Sequence, residues 1–174
     1  MSENNQTITS LHGLLDYDAG KFTSAEIHLK TTLHEWENIA FSMKLKTVLL
    51  RYIDYVQEHI QMMEGFFEEE KINALSINNR VMQAYIDEAD EKIAICKDTA
   101  IKDACLLACI QAINHFKISM YGTAAAFANT LGMEKQAAIF HEAEVNEKQI
   151  DDRLSQLAEH EINVQAKVPG ILEG

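Results

Sequence analysis

The chain carries a single proline, at position 169, and only seven glycines among its 174 residues. Proline and glycine are the residues that most often interrupt regular structure, so long helices can run through most of the sequence. A turn-rich β-sandwich or barrel needs many more of these residues at its turns. The length fits one domain, since domains usually contain about 100–200 residues.

Apolar residues recur at steps of three and four along several long segments, which is the pattern of amphipathic helices. The expected helices cover about residues 23–40, 44–69, 80–96, 100–130 and 134–161. Thr23 or Ser24 is the expected N-cap of the first helix, and Thr99 is the expected N-cap of the fourth. Long helices with brief connections favour a helix bundle over a coiled coil, and the absence of a fixed repeat disfavours a helical-repeat array.

These helices divide the chain into three parts. Residues 1–20 are polar, contain Gly13 and Gly20, and are interpreted as a loosely ordered lead-in. Residues 21–163 are the expected helical bundle, and residues 164–174 are an expected C-terminal tail. The first ten residues lack the basic and apolar regions of a secretion signal, and no apolar run approaches the ~18 residues of a membrane helix.

The chain has 27 acidic side chains against 15 basic ones, which gives a net charge of −12. This excess disfavours binding to nucleic acids or anionic membranes, because both need a cationic protein surface. Cys96, Cys105 and Cys109 lack the spacing of a zinc site and are interpreted as small buried side chains in a reducing compartment. We therefore expect a cytoplasmic protein with no nucleic-acid partner and no membrane partner.

Every third or fourth residue along a bundle helix faces the interior, and this step gives one stripe on each long helix. The stripes are Phe22, Glu26, Leu29, Leu33, Trp36 and Ala40; Leu45, Leu49, Tyr52, Val56, His59, Met63 and Phe66; Leu107, Ile110, Asn114, Lys117, Tyr121, Ala124 and Ala128; and Ala137, Phe140, Glu144, Glu147, Asp151, Leu154 and Ala158. Most of them are apolar toward their ends and polar further in. Their polar members, which form an expected central layer, are Glu26, His59, Asn114, Lys117, Glu144, Glu147 and Asp151. Burial of an unpaired carboxylate is costly, so several carboxylates on one interior stripe require a metal ion, another cation or a proton. For His59 there is also a structural interpretation, in which it is a buried core histidine that hydrogen-bonds to a tyrosine or a carbonyl.

Two helices have a second possible interior stripe. On the helix over residues 100–130 the alternative stripe is Leu106, Cys109, Ile113, Phe116, Met120 and Phe127. On the last helix it is Ile139, Val145, Ile150, Leu154 and Leu157. If these stripes face inward, Asn114 and Lys117 move to the edge of the layer, and the three acids of the last helix move toward solvent.

The run from Asp103 to Gly132, with Tyr121-Gly122-Thr123 inside it and Leu131-Gly132 at its end, resembles the YciE/YciF-type ferritin-like family. Members of that family carry an EHYEIA-x-YGT signature followed by a short helical run that ends in Leu-Gly. Residues 147–158 resemble the family's EEKATDEKLxxLA segment, and the whole resemblance covers about residues 20–166.

The resemblance implies an all-α protein: a ferritin-like up-down four-helix bundle with an additional helix in the central crossover, here residues 80–96. It also implies a homodimer and a link to stress responses, with the biochemical role largely undefined. Related ferritin-like bundles bind two metal ions through carboxylates and histidines from four helices.

The chain departs from this pattern where the family signature reads Glu-His-Tyr-Glu, because it carries Asn114-His115-Phe116-Lys117 instead. Glu26, Glu147 and Asp151 match acidic family positions. A di-metal centre needs several anionic oxygens, and here two acids are lost and a cation is gained. We therefore expect no resident metal or other cofactor. Our hypothesis is that the Lys117 ammonium replaces the metal charge by pairing with Glu147, and that Glu26 or Glu144 is a second partner.

Two alternatives to this ion pair stay open. In one, Lys117 extends outward and the carboxylates are hydrated. In the other, a residual metal site uses residues from the set Glu26, His59, Glu147 and Asp151.

The expected function is that of a non-catalytic, stress-associated bundle protein with a degenerate di-metal site. The first alternative is a ferritin-like oxidase or peroxide scavenger that uses iron or another divalent metal. The second is a protein that binds an unknown small molecule or partner in a surface groove. The common signatures of hydrolases, nucleotide-binding enzymes and zinc proteases are absent from the sequence.

Overall fold

The computed structural model describes residues 7–72 and 78–167, and its regular structure in these ranges is entirely helical. The helices are α1 (Leu11–Ile39), α2 (Met43–Glu70), α3 (Arg80–Ile95), α4 (Thr99–Thr130), α5 (Glu134–Leu157), a π-helical turn (Ala158–Ile162) and α6 (Asn163–Lys167). The all-α fold class expected from the sequence is confirmed. None of the described helices is long and apolar enough to cross a lipid bilayer.

The four long helices α1, α2, α4 and α5 form a bundle in which neighbouring helices are antiparallel. Short connections reverse the chain between α1 and α2 and between α4 and α5. The backbone N–H of Phe41, just after α1, donates to the Asp103 carboxylate near the start of α4 at 2.8 Å. Lys44 near the start of α2 contacts Glu161, beyond the end of α5, at 2.5 Å. Therefore α2 and α4 run in the same direction.

Because α2 and α4 are parallel, the chain has to return along the length of the bundle between them. Helix α3 lies in this crossover, where the additional helix is expected. The indole N–H of Trp36 on α1 donates to Asp90 on α3 at 2.9 Å, and the ring of Tyr85 on α3 packs 5.8 Å from that of Phe116 on α4. Helix α3 thus covers one side of α1 and α4.

Helix α1 begins at Leu11, so the expected lead-in is wrong for residues 11–20, and so is the expected N-cap at Thr23 or Ser24. Ser10 is the N-cap, and its hydroxyl accepts the backbone N–H of Gly13 at 3.0 Å. A glycine inside a helix costs about 1 kcal/mol relative to alanine. Burial of Leu15 and Ala19 against the core offsets this cost. Residues 1–6 lie outside the described residues.

Two other boundaries differ from expectation. Asp98, rather than Thr99, caps α4, and its carboxylate accepts the backbone N–H groups of Ala100 and Ile101 at 2.9 and 3.2 Å. The last helix continues through the π-helical turn into α6, so residues 164–167 are helical instead of belonging to the tail. Residues 168–174 lie outside the described residues.

The interior stripes expected on α1 and α2 are buried throughout. Helix α4 buries members of both of its possible stripes, because one side faces the bundle and another faces α3. Helix α5 is rotated slightly from the expected position. Ala143 and Ile150 take the interior places that were assigned to Glu144 and Asp151, which are partly exposed.

Asp103 is a buried carboxylate whose structural role was not predicted from the sequence. Its two oxygens accept the backbone N–H groups of Phe41 and Ser42 at 2.8 and 2.7 Å. Ser42 in turn caps α2, since its hydroxyl accepts the N–H of Leu45 at 3.3 Å. A single side chain of α4 thereby holds the α1–α2 connection in place.

Replacement of Asp103 by alanine removes both acceptors and leaves two backbone donors without a partner. Hydrogen bonds to charged groups contribute about 1.5–3 kcal/mol, so we expect Asp103→Ala to lower the free energy of unfolding by about 1.5–3 kcal/mol. Urea denaturation measures this change. The control is Asp54→Ala at an exposed position of α2, with an expected effect within about 0.5 kcal/mol. Equal effects of the two substitutions would contradict the role of Asp103.

Candidate functional site

A cluster of polar side chains lies in the interior of the bundle, midway along the long helices, and each of the four helices supplies at least one member. We call it the central cluster, and its residues are Glu26, Tyr52, His59, Asn114, Lys117, Tyr121 and Glu147. All seven are at most 2% exposed. Spacings of three and seven residues place the members from one helix on the same face.

The Lys117 ammonium lies between two carboxylates. Its Nζ is 3.1 Å from Glu26 Oε1 and is in close contact with Glu147 Oε1. It also lies 4.6 Å from the centroid of the Tyr52 ring, whose negative face attracts a cation. The contacts with the carboxylates lack hydrogen-bond geometry, so the attraction is that of an ion pair. Lys117 is therefore a buried side chain that bridges α1, α4 and α5.

Glu147 is held by two further donors. The Tyr52 hydroxyl donates to its Oε2 at 2.6 Å, and the Asn114 amide donates to the same oxygen at 2.7 Å and to the backbone carbonyl at 2.9 Å. Burial, and next to it the negative charge of Glu147, raise the pKa of Tyr52 well above its ordinary value. The Tyr52 hydroxyl thus keeps its proton and remains a donor.

His59 lies beside the same carboxylates. Its Nδ1 is 3.5 Å from Glu147 Oε1 and 3.7 Å from Glu26 Oε2, and its Nε2 faces the amide of Asn146 at 3.4 Å. The Tyr121 ring packs edge-on at 5.1 Å. Burial and the negative charges of Glu26 and Glu147 raise the pKa of Tyr121 well above its ordinary value, so this hydroxyl also stays protonated.

The formal charges of the central cluster nearly cancel. The carboxylates of Glu26 and Glu147 and the ammonium of Lys117 sum to −1. A buried excess charge is costly, and the ammonium offsets one of the two carboxylates. The imidazole of His59 lies against both acids.

These residues do not fit a two-metal centre. Two divalent ions bring four positive charges and take several oxygen ligands, whereas the cluster offers two carboxylates and one imidazole. The Lys117 ammonium already contacts both carboxylates at the position that a bridging cation needs, and a protonated amine has no lone pair to coordinate a metal. Of the residual set for a metal, Glu26, His59 and Glu147 lie together, and both of these carboxylates are in contact with the Lys117 ammonium. Asp151 lies apart, against His115 and Gln111.

Two sequence-predicted residues lie outside the central cluster. Asp151 is partly exposed and contacts His115 at 2.8 Å and Gln111 at 3.1 Å. Glu144 faces Lys148 at 2.6 Å, and the hydrogen bond from that ammonium lowers the pKa of the Glu144 carboxyl. Of the seven residues of the expected layer, the structure brings together Glu26, His59, Asn114, Lys117 and Glu147, but not these two acids.

Sequence reasoning missed the roles of Tyr52 and Tyr121, although both lie on the expected interior stripes. A polar hydroxyl on an otherwise apolar stripe was the available signal.

The glycine after Tyr121 has a separate role. A Cβ at Gly122 would lie 3.3 Å from Glu144 Oε1, so the missing side chain lets that carboxylate approach α4.

Removal of the Tyr52 hydroxyl leaves a buried oxygen of Glu147 with one donor fewer. We expect Tyr52→Phe to lower the free energy of unfolding by about 1.5–3 kcal/mol, the usual contribution of a hydrogen bond to a charged group. Tyr55→Phe is the matched control, since the Tyr55 hydroxyl donates to Gln149 at 2.9 Å on the exposed surface of the same helix pair. Thermal and urea unfolding of both variants measures the difference, and equal stabilities would contradict a special role of Tyr52.

Comparison with known proteins places the chain among relatives of similar size. Residues 11–167 match the family described as the domain of unknown function DUF892. Protein YciF of Escherichia coli (strain K12) is 28% identical over 145 residues, which cover 83% of this chain and 87% of YciF. The crystal structure of the Escherichia coli stress protein YciF matches with a TM-score of 0.84 and 25% identity, over 90% of this chain and 99% of that one.

A second solved structure, YcfI of Rhodopseudomonas palustris, has a TM-score of 0.83 and 24% identity, and the match covers 87% of this chain and 96% of that one. At this identity the likeness supports the fold. Together with the match over residues 11–167, these relatives agree with the family resemblance seen in the sequence. The chain therefore belongs to the DUF892 family, whose function is unknown, and is a homologue of the stress protein YciF.

Proposed function

We propose that this chain is a non-catalytic, stress-associated, ferritin-like bundle protein of the cytoplasm, and that its central cluster is a degenerate di-metal site. The observation that carries the proposal is the contact of the buried Lys117 ammonium with both Glu26 and Glu147. A tethered ammonium supplies positive charge to the carboxylates, but it cannot change its oxidation state or coordinate a substrate.

The energetics of buried charges support this assignment. Removal of one partner from a buried ion pair costs about 3–5 kcal/mol, because the remaining charge has no compensation. A metal ion that entered the cluster would have to displace the ammonium from the same oxygens and leave it unpaired in the interior. Lys117 therefore acts as an internal competitor of metal binding. The name of the relative YciF, a stress protein, supports the stress association.

The proposal predicts that the scaffold regains a metal site when the two acids of the family signature are restored. We expect the variant Asn114→Glu/Lys117→Glu to bind divalent iron and the wild-type chain to bind none at the centre. In the variant, the added carboxylates join Glu26, His59 and Glu147 as ligands. The measurement is an anaerobic Fe²⁺ titration with metal analysis, followed by exposure to oxygen and a search for an oxo-bridged ferric absorption band.

The control is Lys148→Glu, which replaces a lysine by a carboxylate, as Lys117→Glu does, but on the exposed surface of α5. It should bind iron no better than the wild-type chain does. If the double variant is unfolded without metal, its thermal unfolding with and without Fe²⁺ still tests the site, since binding to the folded state raises the Tm. Tight uptake of about two metal ions per chain by the wild-type protein would support a ferritin-like oxidase and contradict the proposal. Absence of any gain in the double variant would contradict a degenerate site.

We also propose that the chain forms a homodimer through apolar side chains at the end of the bundle where α1 meets α2. Phe41 and Met43 are 70% and 72% exposed there, and Ile39 and Ile95 lie nearby at the ends of α1 and α3. Exposed apolar patches of this kind are typical of protein contacts.

The dimer proposal predicts that Phe41→Ser/Met43→Ser is monomeric in solution, because the substitutions remove the largest exposed apolar groups of this patch. Light scattering coupled to size-exclusion chromatography measures the mass. Ile27→Ser, at a 52% exposed position of α1 away from this end, is the control and should stay dimeric. A monomeric wild-type chain, or a double variant that remains dimeric, would overturn the proposal.

A further inference from the structure

A second group of ligand-type side chains lies at the opposite end of the bundle, where α1 begins and α2 ends. His12 and Asp16 are one helical turn apart on α1, and Glu70 is the last residue of α2. His12 Nε2 is 2.6 Å from Glu70 Oε2 and 3.8 Å from Asp16 Oδ1. One ligand atom from each of the three residues lies within 4.8 Å of the other two.

One atom of this group lacks a partner. Asp16 Oδ1 is buried from solvent and has no hydrogen-bond donor among the described residues, although the side chain as a whole is partly exposed. Partial burial raises the pKa of the Asp16 carboxyl, the neighbouring His12 opposes this rise, and the negative charge of Glu70 adds to it. A carboxylate oxygen in this situation is stabilised by a cation placed between it and its neighbours.

The surroundings also favour a cation. The C-terminal end of α2 carries the negative end of the helix dipole, and Glu68 and Glu69 precede Glu70 in the last turn. Lys135 pairs with Glu69 at 2.5 Å. Among the contacts in the described residues, no lysine or arginine reaches His12, Asp16 or Glu70. The two carboxylates of the group therefore have no tethered cation.

We infer that His12, Asp16 and Glu70 form a binding site for one divalent transition-metal ion of the zinc type. An imidazole nitrogen with two carboxylate oxygens suits such ions better than Mg²⁺ or Ca²⁺, which prefer oxygen ligands alone. Bonds of about 2.1 Å in a tetrahedral site set the ligand atoms about 3.4 Å apart. The distances of 2.6 and 3.8 Å lie on either side of that value, and all three ligand atoms lie within 4.8 Å of one another, so side-chain rotations can bring them to this spacing.

The site has two physical consequences. A bound ion ties the first turn of α1 to the last turn of α2 and so stabilises the folded chain. The ion also competes with a proton. A metal ion binds only the deprotonated imidazole, so metal affinity falls as the pH falls. The site is separate from the central cluster and does not depend on the function proposed for it.

Isothermal titration with ZnCl₂ on the full chain at pH 7.5 tests this inference. We expect one zinc ion per chain at this site, with an affinity at least tenfold lower in His12→Ala and in Glu70→Gln. His141→Ala is the matched control: His141 is an exposed histidine 3.4 Å from Glu144, but it lacks a second carboxylate at this distance in the described residues. Zinc bound by cysteines contributes equally to all four proteins.

The position of the ion is tested by NMR with substoichiometric Cu²⁺, which broadens nearby amide signals. Broadening of the signals of Leu11–Asp16 and of the last turn of α2 supports the site. The inference is overturned by wild-type affinity in His12→Ala, by an equal loss in His141→Ala, by no zinc binding in the wild-type chain, or by broadening that is confined to other regions. Circular dichroism of each variant checks that it is folded.

Discussion

The placement of the Lys117 ammonium between Glu26 and Glu147 is the interaction on which the arrangement of the bundle depends. These three residues belong to α4, α1 and α5, and all are fully buried. Rotation of any of the three helices about its axis would separate a charge from its partners and leave it uncompensated in the interior, at a cost of several kcal/mol. Apolar packing tolerates small shifts of a helix, whereas this cluster does not. We infer that the ion pairs select one rotation for each helix, with Tyr52 and His59 linking α2 to the same arrangement.

The sequence predicts the helices well because it contains so few residues that interrupt them, but helix rotation is harder to predict. Helix α4 is apolar on two faces, since it packs against the bundle on one side and against α3 on the other. Its sequence pattern therefore cannot show which face holds Lys117. On α5, alanine is a weak signal of burial, so the sequence gives no reason to prefer Ala143 over Glu144 for the interior. Glu147 lies on the interior face with either of these two residues.

The start of α1 and the role of Asp103 could not be predicted from the local sequence, because both depend on tertiary contacts. The start of α1 contains two glycines and reads as irregular, yet the burial of Leu15 and Ala19 keeps it helical. This stabilisation comes from tertiary contacts, which helix propensities of single residues do not include. Asp103 binds backbone N–H groups some sixty residues earlier in the chain, and no periodicity or motif records such a contact. By contrast, five of the seven residues of the expected polar layer do meet in the central cluster, because a charged residue on an otherwise apolar stripe is a strong local signal.

The central cluster and the His12–Asp16–Glu70 group differ in the source of the cation beside their carboxylates. Lys117 is covalently attached, so its concentration at Glu26 and Glu147 is fixed and no change in the medium can dilute it. The compensation of the central cluster is therefore permanent, and metal availability has little influence on it. The His12–Asp16–Glu70 group has no tethered cation, and the proposed metal ion would come from solution. Occupancy of this site therefore alters the link between α1 and α2 at one end of the bundle, without disturbing the buried charges of the central cluster.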